Sequence, residues 1–268
     1  MRRVIILAIG NELLIGETLD TNTHWLCRHF TGLGAQVQRA VMLPDQIEAI
    51  ASEIALACHN GVDLLITTGG LGPTDDDLTL AALAQALNCP LILDETAYCW
   101  IVDKYAALAA QGYVSSADIT PPRAKMAILP RGAVPIANPV GAAPAIQLIH
   151  QTTMIICLPG VPAELQAIIT QSLPTTFATL FGAGSFQERE VWVNCGDESV
   201  LAPILREIAT AHPNVYVKSK AKKFGPDLRF LIKLHARGEA TEIAYTLAAA
   251  ANDLATVCRR AGLTIVNS

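Results

Sequence analysis

Apolar runs of strand length alternate along most of the chain with stretches whose apolar positions recur every three or four residues. Val4–Ile9 (VIILAI) is continuously apolar and β-branched, the pattern of a strand covered on both faces. A helix is predicted next, with Asp20 or Thr21 as N-cap, Trp25, Leu26 and Phe30 on its buried side, and Gly32 and Gly34 ending it. Residues 35–43 read as a second strand. Residues 46–59 read as a helix, with Ile47, Ile50, Ile54 and Cys58 along one face. Val62–Thr68 is another continuous buried strand, followed by helices over 78–87 and 95–111. This alternation is that of βα units on a parallel sheet.

The pattern then thins. Residues 114–146 are rich in Pro, Gly and Ala and predict an ordered loop region carrying short strands. AIQLIH and TMIICLPG form an expected strand pair, and VPAELQAIITQSL a helix with Pro162 in its first turn. After residues 174–187, which change character, a tail of strands over 189–195, 214–220, 228–236 and 263–266 and helices over 199–209 and 239–258 reads as a smaller α+β unit. The expected domains are residues 1–183 and 184–268. No internal repeat is visible.

Composition narrows the class. Apolar residues make up 51 % of the 268 and charged residues only 16 %, so a sizeable core is expected. Mean hydropathy is +0.37, yet no apolar run approaches the roughly 18–20 residues of a membrane span. MRRVIILAIG passes straight into polar Asn11 and Glu12, which suits a first core strand and not a signal peptide, so a cytoplasmic chain is expected. The net charge of −5 argues against a general nucleic-acid binder. Seven dispersed cysteines without CxxC spacing suggest reduced, packing thiols, and the six histidines form no ligand pair.

The densest chemistry lies in TTGGLGPTDDDLT, residues 67–79. Gly69, Gly70 and Gly72 let backbone approach a ligand closely, and amides before the following helix attract an anion. Asp75, Asp76 and Asp77 would repel it. One aspartate would suffice to cap the helix; a divalent cation bridging carboxylates to phosphate reconciles all three. Glu12 and Asp20 after the first strand, and Asp45 after the second, are expected at the same sheet edge, where ligands of open α/β sheets bind.

GNELLIGETLDTN, TTGGLGPTDDDLT, NPVGAAPA and LPGVPAEL, in that order over about residues 1–175, resemble the signature segments of the CinA family, whose fold is shared with MoaB and MogA of molybdenum-cofactor synthesis. VWVNCGDESVLAPIL and the segment from Val215 are similar to that family's KH-like middle domain. The resemblance implies an α/β fold, a three-layer open and mostly parallel sheet of the molybdopterin-binding type, with a second α+β KH-like domain. Full-length members carry a further deamidase domain beyond the point where this sequence ends, so deamidase activity is not expected of it. Implied instead is a metal-dependent pyrophosphatase acting on ADP-ribose-like dinucleotides, with Mg²⁺, Mn²⁺ or Co²⁺ as cofactor. The alternatives are a molybdopterin-adenylylating protein and a non-catalytic nucleotide or pterin sensor.

Carried onto this sequence, the resemblance makes Asp77 and Asp45 the functional acids, joined by Asp76, with Glu12, Asp76 and Asp77 holding the metal. Ligand contacts fall on Gly10, Asn11, Gly69, Gly70, Gly72, Pro73 and Thr74, and on Lys125, Asn138, Gly141, Pro144 and Gly160. Asp45 would orient the attacking water, Lys125 or Arg123 would face phosphate or stand solvated, and Glu164 would serve its helix dipole or the ligand. Three positions depart from the family pattern: Ala142 replaces a hydroxyl, Met126 an amide and Ala145 a glycine, whose added Cβ is expected to crowd an approaching phosphate. A nucleotide or pterin partner, no membrane and a homo-oligomer (dimer or trimer) are expected. Lys218, Lys220, Lys222 and Lys223 form a basic cluster, but with no GxxG loop they read as solvated lysines and nucleic acid is not expected.

Overall fold

The structure, a computed structural model, describes residues 2–221 and 229–266; Lys222 and Lys223 lie outside the described residues. The chain divides into two compact units, one of residues 2–30 and 36–182, the other of residues 31–35 and 183–268.

The first unit alternates strand and helix through β1 (Arg3–Ile9), α1 (Asn11–Leu14), α2 (Thr21–Gly32), β2 (Gln36–Leu43), α3 (Ile47–His59), β3 (Leu64–Thr68) and α4 (Thr79–Ala86). There follow β4 (Leu91–Leu93), α5 (Glu95–Ala110), α6 (Pro121–Lys125), β5 (Ile128–Pro130), β6 (Val134–Ile136), β7 (Ala145–His150) and β8 (Thr153–Leu158). The unit ends on α7 (Pro162–Ala167), a π-helical turn over Ile168–Ser172, and α8 (Pro174–Phe181). Its six-stranded sheet runs β2-β1-β3-β8-β7-β6. The first four strands are mutually parallel, and β7 and β6 add on antiparallel.

Alternation along β1 explains the layering. Ile5, Leu7 and Ile9 join a cluster with Ile50 and Ile54 of α3, Leu83 of α4 and Ile101 of α5. Val4, Ile6 and Ala8 point to the other face by the two-residue period of a strand and are equally buried. Leu26, Phe30, Leu165 and Phe177, from α2, α7 and α8, are buried outside that cluster, so a second helical layer covers this face. Phe30 and Phe177 meet edge to face at 5.3 Å. Trp25 is only partly buried, stacked on His29 at 4.8 Å.

Three elements escaped the hydrophobic rhythm. β4 is three exposed residues held by pairing with β5. α6 begins on the two prolines that made its segment look like loop, because proline fits a first helical turn. α8 opens on Pro174 and occupies the stretch that reads as a change of character.

The second unit holds β9 (Gly184–Asn194), α9 (Glu198–Ala211), β10 (Tyr216–Ala221), β11 (Arg229–Glu239), α10 (Ala240–Arg260) and β12 (Thr264–Val266). Its sheet, β10-β11-β9-β12, is antiparallel throughout. Val193, Phe230, Ile232 and Leu234 form a core with Leu201 and Ile204 of α9 and Leu247 and Leu254 of α10. β9 begins five residues before the predicted Arg189 because its pairing with β11 continues to Gly184↔Glu239.

Candidate functional site

Parallel pairing puts the C-terminal ends of β1, β2, β3 and β8 on one edge of the first sheet. The segments leaving them are Gly10–Glu12, Asp45, Gly69–Asp77 and Pro159–Val161. All of these residues except Asn11, Thr74 and Asp75 wall a cleft of about 510 Å³ that also exposes Tyr105, Met126, Ala142, Ala143 and Glu164.

The glycine loop is built for close approach. Gly69 has φ +102° and Gly70 φ +69°, and a Cβ on Gly69 would run into the Ile9 carbonyl, one on Gly70 into the Thr79 hydroxyl. The Thr79 hydroxyl donates to Gly69 O at 2.7 Å and its amide to Gly70 O at 3.2 Å, locking loop to helix. The amides of Gly70, Leu71 and Gly72 donate no hydrogen bond among the described residues. Three successive free N–H groups beside a cleft are the kind of backbone feature from which anion-binding concavities are built.

The aspartates do not cap α4, which has no side-chain cap. Asp77 instead closes a turn on Thr74, accepting its amide at 2.8 Å and its hydroxyl at 2.6 Å. That hydroxyl also reaches Asp76, and this bond above all, with Lys125 adding a smaller pull, holds the Asp76 carboxyl below its ordinary pKa. Asp76 and Asp77 border the cleft, whereas Asp75 is exposed and outside it. Asp45 accepts from Asn11 N at 2.8 Å with one oxygen and borders the cleft.

A metal's fit follows from this chemistry. Among the described residues no three or more His, Cys, Asp or Glu side chains gather to hold a cation. Glu12, Asp76 and Asp77 are therefore not a preformed cage. Ions of the Mg²⁺ kind are ordinarily held by one or two carboxylates plus substrate phosphates, and Asp76 and Asp77 at the cleft supply that number. Glu12 borders the cleft against Gly10.

Several sequence-predicted residues stand elsewhere. Asp20 is a cap, accepting from Thr23 N at 2.8 Å, and does not border the cleft. Asn138 has no spare hydrogen-bonding capacity: its amide donates to Ala143 O and Glu164 Oε2, and its oxygen accepts from Val140 N and Gly141 N. It organises the 138–143 turn, and with Gly141 and Pro144 it faces a neighbouring hollow beside Trp100 and Lys104. Lys125 donates to Thr74 O and so props the acidic turn. Arg123 donates to Ser116 O at 2.8 Å and Asp118 O at 2.7 Å and lies 3.8 Å over the Tyr105 ring. Neither cation borders the cleft. Ala142 does, but Ala145 is fully buried in β7 opposite Ile136, so its Cβ packs the core and crowds no phosphate.

Sequence reasoning missed Asn22 and Tyr105. Asn22 sits buried in the first turn of α2, donating to Thr68 Oγ1 at 3.1 Å and Gly160 O at 2.7 Å. It thereby ties the ends of β3 and β8 together under the cleft. A buried polar residue two positions into a helix was the available signal.

The sequence matches the family described as "Probable molybdopterin binding domain" over residues 5–178. The chain belongs to this family. A protein of Pyrobaculum calidifontis is 39 % identical over 235 residues, 88 % of this chain and 86 % of that one. One of Pyrobaculum aerophilum is 38 % identical over 249 residues, covering 92 % and 91 %. Among solved structures, "the protein CinA with unknown function from Thermoplasma acidophilum" is similar at 34 % identity and a TM-score of 0.60, over 66 % of this chain and 98 % of that one. The chain is thus CinA-like, with the MogA/MoaB-type α/β fold in its first unit and a separate antiparallel unit after it. Among the described residues no helix is long and apolar enough to cross a membrane.

Proposed function

We propose that the first unit is a divalent-metal-dependent pyrophosphatase of the CinA type, hydrolysing ADP-ribose-like or other dinucleotide pyrophosphates. The observation that carries this reading is the conjunction of three unengaged amides, Gly70 to Gly72, with Asp76 and Asp77 on the same cleft. Amides alone would take any anion; carboxylates beside them select an anion that arrives with a cation. Asp76 and Asp77 would hold Mg²⁺, Mn²⁺ or Co²⁺, which supplies charge neutralisation and an acidified water. The loop amides bind phosphate oxygens and stabilise the charge that grows on them during in-line attack. Asp45, fixed through Asn11 N, orients the water with its remaining oxygen. Asn22 keeps the two strand ends at constant separation beneath the ligand.

Tyr105, Met126, Ala142 and Ala143 give the cleft an apolar wall suited to a flat ring. A pterin would meet it as adenine does, which favours molybdopterin-dependent AMP transfer as the competing reading; the Ala142 departure keeps a binding-only sensor beside it. Pure protein incubated with ADP-ribose or FAD and each metal should release AMP. No AMP with any metal, from folded protein, defeats the hydrolase. ATP consumed only when molybdopterin is present identifies the transferase, and tight binding without turnover the sensor. A cytoplasmic dimer or trimer belongs to the same proposal, and light scattering tests the assembly.

A further inference from the structure

β11 outruns its neighbour on one side. It pairs with β9 along its whole length, to Glu239↔Gly184, but with β10 only as far as His235↔Tyr216. Where β10 is missing, beside Ala236–Gly238, the second unit has a notch of about 550 Å³. That is within the roughly 300–1,000 Å³ of small-molecule pockets.

The walls have a definite chemistry. Phe186, Tyr216 and His235 present three rings: Phe186 meets His235 edge to face at 5.3 Å, and Tyr216 lies 5.9 Å from His235. Tyr216 is 61 % exposed, far more than a ring recruited for packing alone would be. Arg237 borders the same space, its guanidinium 5.5 Å from the Phe186 ring. Among the described residues that guanidinium has neither a hydrogen-bond acceptor nor an ion-pair partner, while the neighbouring Lys233 is held between Glu188 and Glu190. Partial desolvation by its surroundings lowers the Arg237 pKa, although the residue stays exposed. Burial lowers that of His235 against the opposing pull of Glu188, so near neutrality His235 offers a neutral ring. Glu242, on the first turn of α10, borders the notch from the opposite element.

A planar guanidinium fork fits phosphate two-pronged; an exposed ring beside it fits a flat heterocycle; a carboxylate accepts from vicinal hydroxyls. We propose that the notch is a second ligand site, for a nucleoside 5′-monophosphate, with Arg237 taking the phosphate, Tyr216 stacking the base and Glu242 accepting from the ribose. The site shares no residue with the first cleft and needs no metal.

Calorimetric titration of the full chain in EDTA with AMP, adenosine and ribose 5-phosphate tests it. AMP binds, and loss of either half of the ligand weakens binding about tenfold or more. Arg237→Ala and Tyr216→Ala each weaken AMP about tenfold, Tyr216→Phe keeps it, and Asp77→Asn leaves it as in wild type. Both altered side chains are solvent-exposed, and circular dichroism confirms that the variants are folded. No AMP binding at millimolar concentration overturns the proposal. So does inorganic phosphate binding as tightly as AMP, an affinity indifferent to Arg237→Ala, or one lost in Asp77→Asn.

Discussion

The cleft at the ends of β1, β3 and β8 combines unengaged glycine-loop amides with carboxylates, whereas the notch beside β11 is bordered by Arg237, Tyr216 and Glu242. In the first unit, parallel strands deliver several chain segments to one edge, so amides from consecutive loops converge there and glycines bring them close. The second unit is antiparallel, and its strand ends alternate in direction. No common edge of C-termini exists, and recognition falls to Arg237, Tyr216 and Glu242. Some carboxylates of the cleft are already engaged with residues beside it, Asp77 with Thr74 and Glu164 with Asn138. Arg237 in the notch is engaged with nothing polar among the described residues. Sheet direction thus decides whether loop amides from several strands can converge on one site.

The contrast breaks most decisively on activity. Asp77→Asn should lower kcat/KM for AMP release about 10²- to 10³-fold, since it removes a charge where the transition state needs one. EDTA should abolish release altogether while sparing AMP binding in the notch. Hydrolysis by Asp77→Asn at the wild-type rate would remove that residue from the site.

Stability sharpens the contrast next. Gly69→Ala combines φ +102° with overlap on the Ile9 carbonyl, and urea unfolding should show a loss of roughly 1–3 kcal/mol or more. Gly238, in the notch, has φ +147° but no overlap, its added Cβ standing in ordinary van der Waals contact 3.8 Å from Ile243. Gly238→Ala should therefore cost only about 1 kcal/mol. Equal losses would deny that the cleft depends on close backbone contact.

Asn22→Ala follows, at about 1–3 kcal/mol for leaving Gly160 O and Thr68 Oγ1 without their donor. Its kcat/KM should fall although Asn22 does not border the cleft; unchanged kinetics in a destabilised protein would reduce it to packing.

The smallest effect is acid sensitivity of the first unit. Desolvation raises the Asp63 pKa, but hydrogen bonds from Arg3 N and Arg2 outweigh it and hold the carboxyl below 3.8. A depressed carboxylate pKa stabilises the fold above the unfolded value, and that stability is lost as pH falls through the folded value. Arg2→Ala should remove about 0.2–1 kcal/mol at neutral pH and clearly less once pH is well below 3.8, where only the bond from Arg2 Nε to Leu180 O is left to lose. A loss independent of pH would refute the ion pair as its source.

Much of the fold was legible because burial leaves a period in the sequence. β1 and β3, covered on both faces, are continuous apolar runs, and α3 places Ile50 and Ile54 four apart. β4 was illegible because three exposed residues have no period, and α8 because Pro174 looked like an interruption. At the site, the glycine loop and its acids were readable as local chemistry. Asn138 and Lys125 were misplaced because a motif names residues and does not reveal which of their hydrogen bonds are already taken.

By itself, the sequence determined most of the segments that are strands and helices, that a Gly-rich turn with aspartates follows a buried strand, and that the chain is CinA-like. Those properties are local, set by periodicity and by side-chain type. Only the tertiary structure decided that Ala145 lies in the core, that Asn22 ties two strand ends beneath the cleft, and that Arg237 has no polar partner among the described residues. Each of these depends on residues distant in sequence meeting in space, and strand pairing, which fixes those meetings, leaves no mark on any single segment.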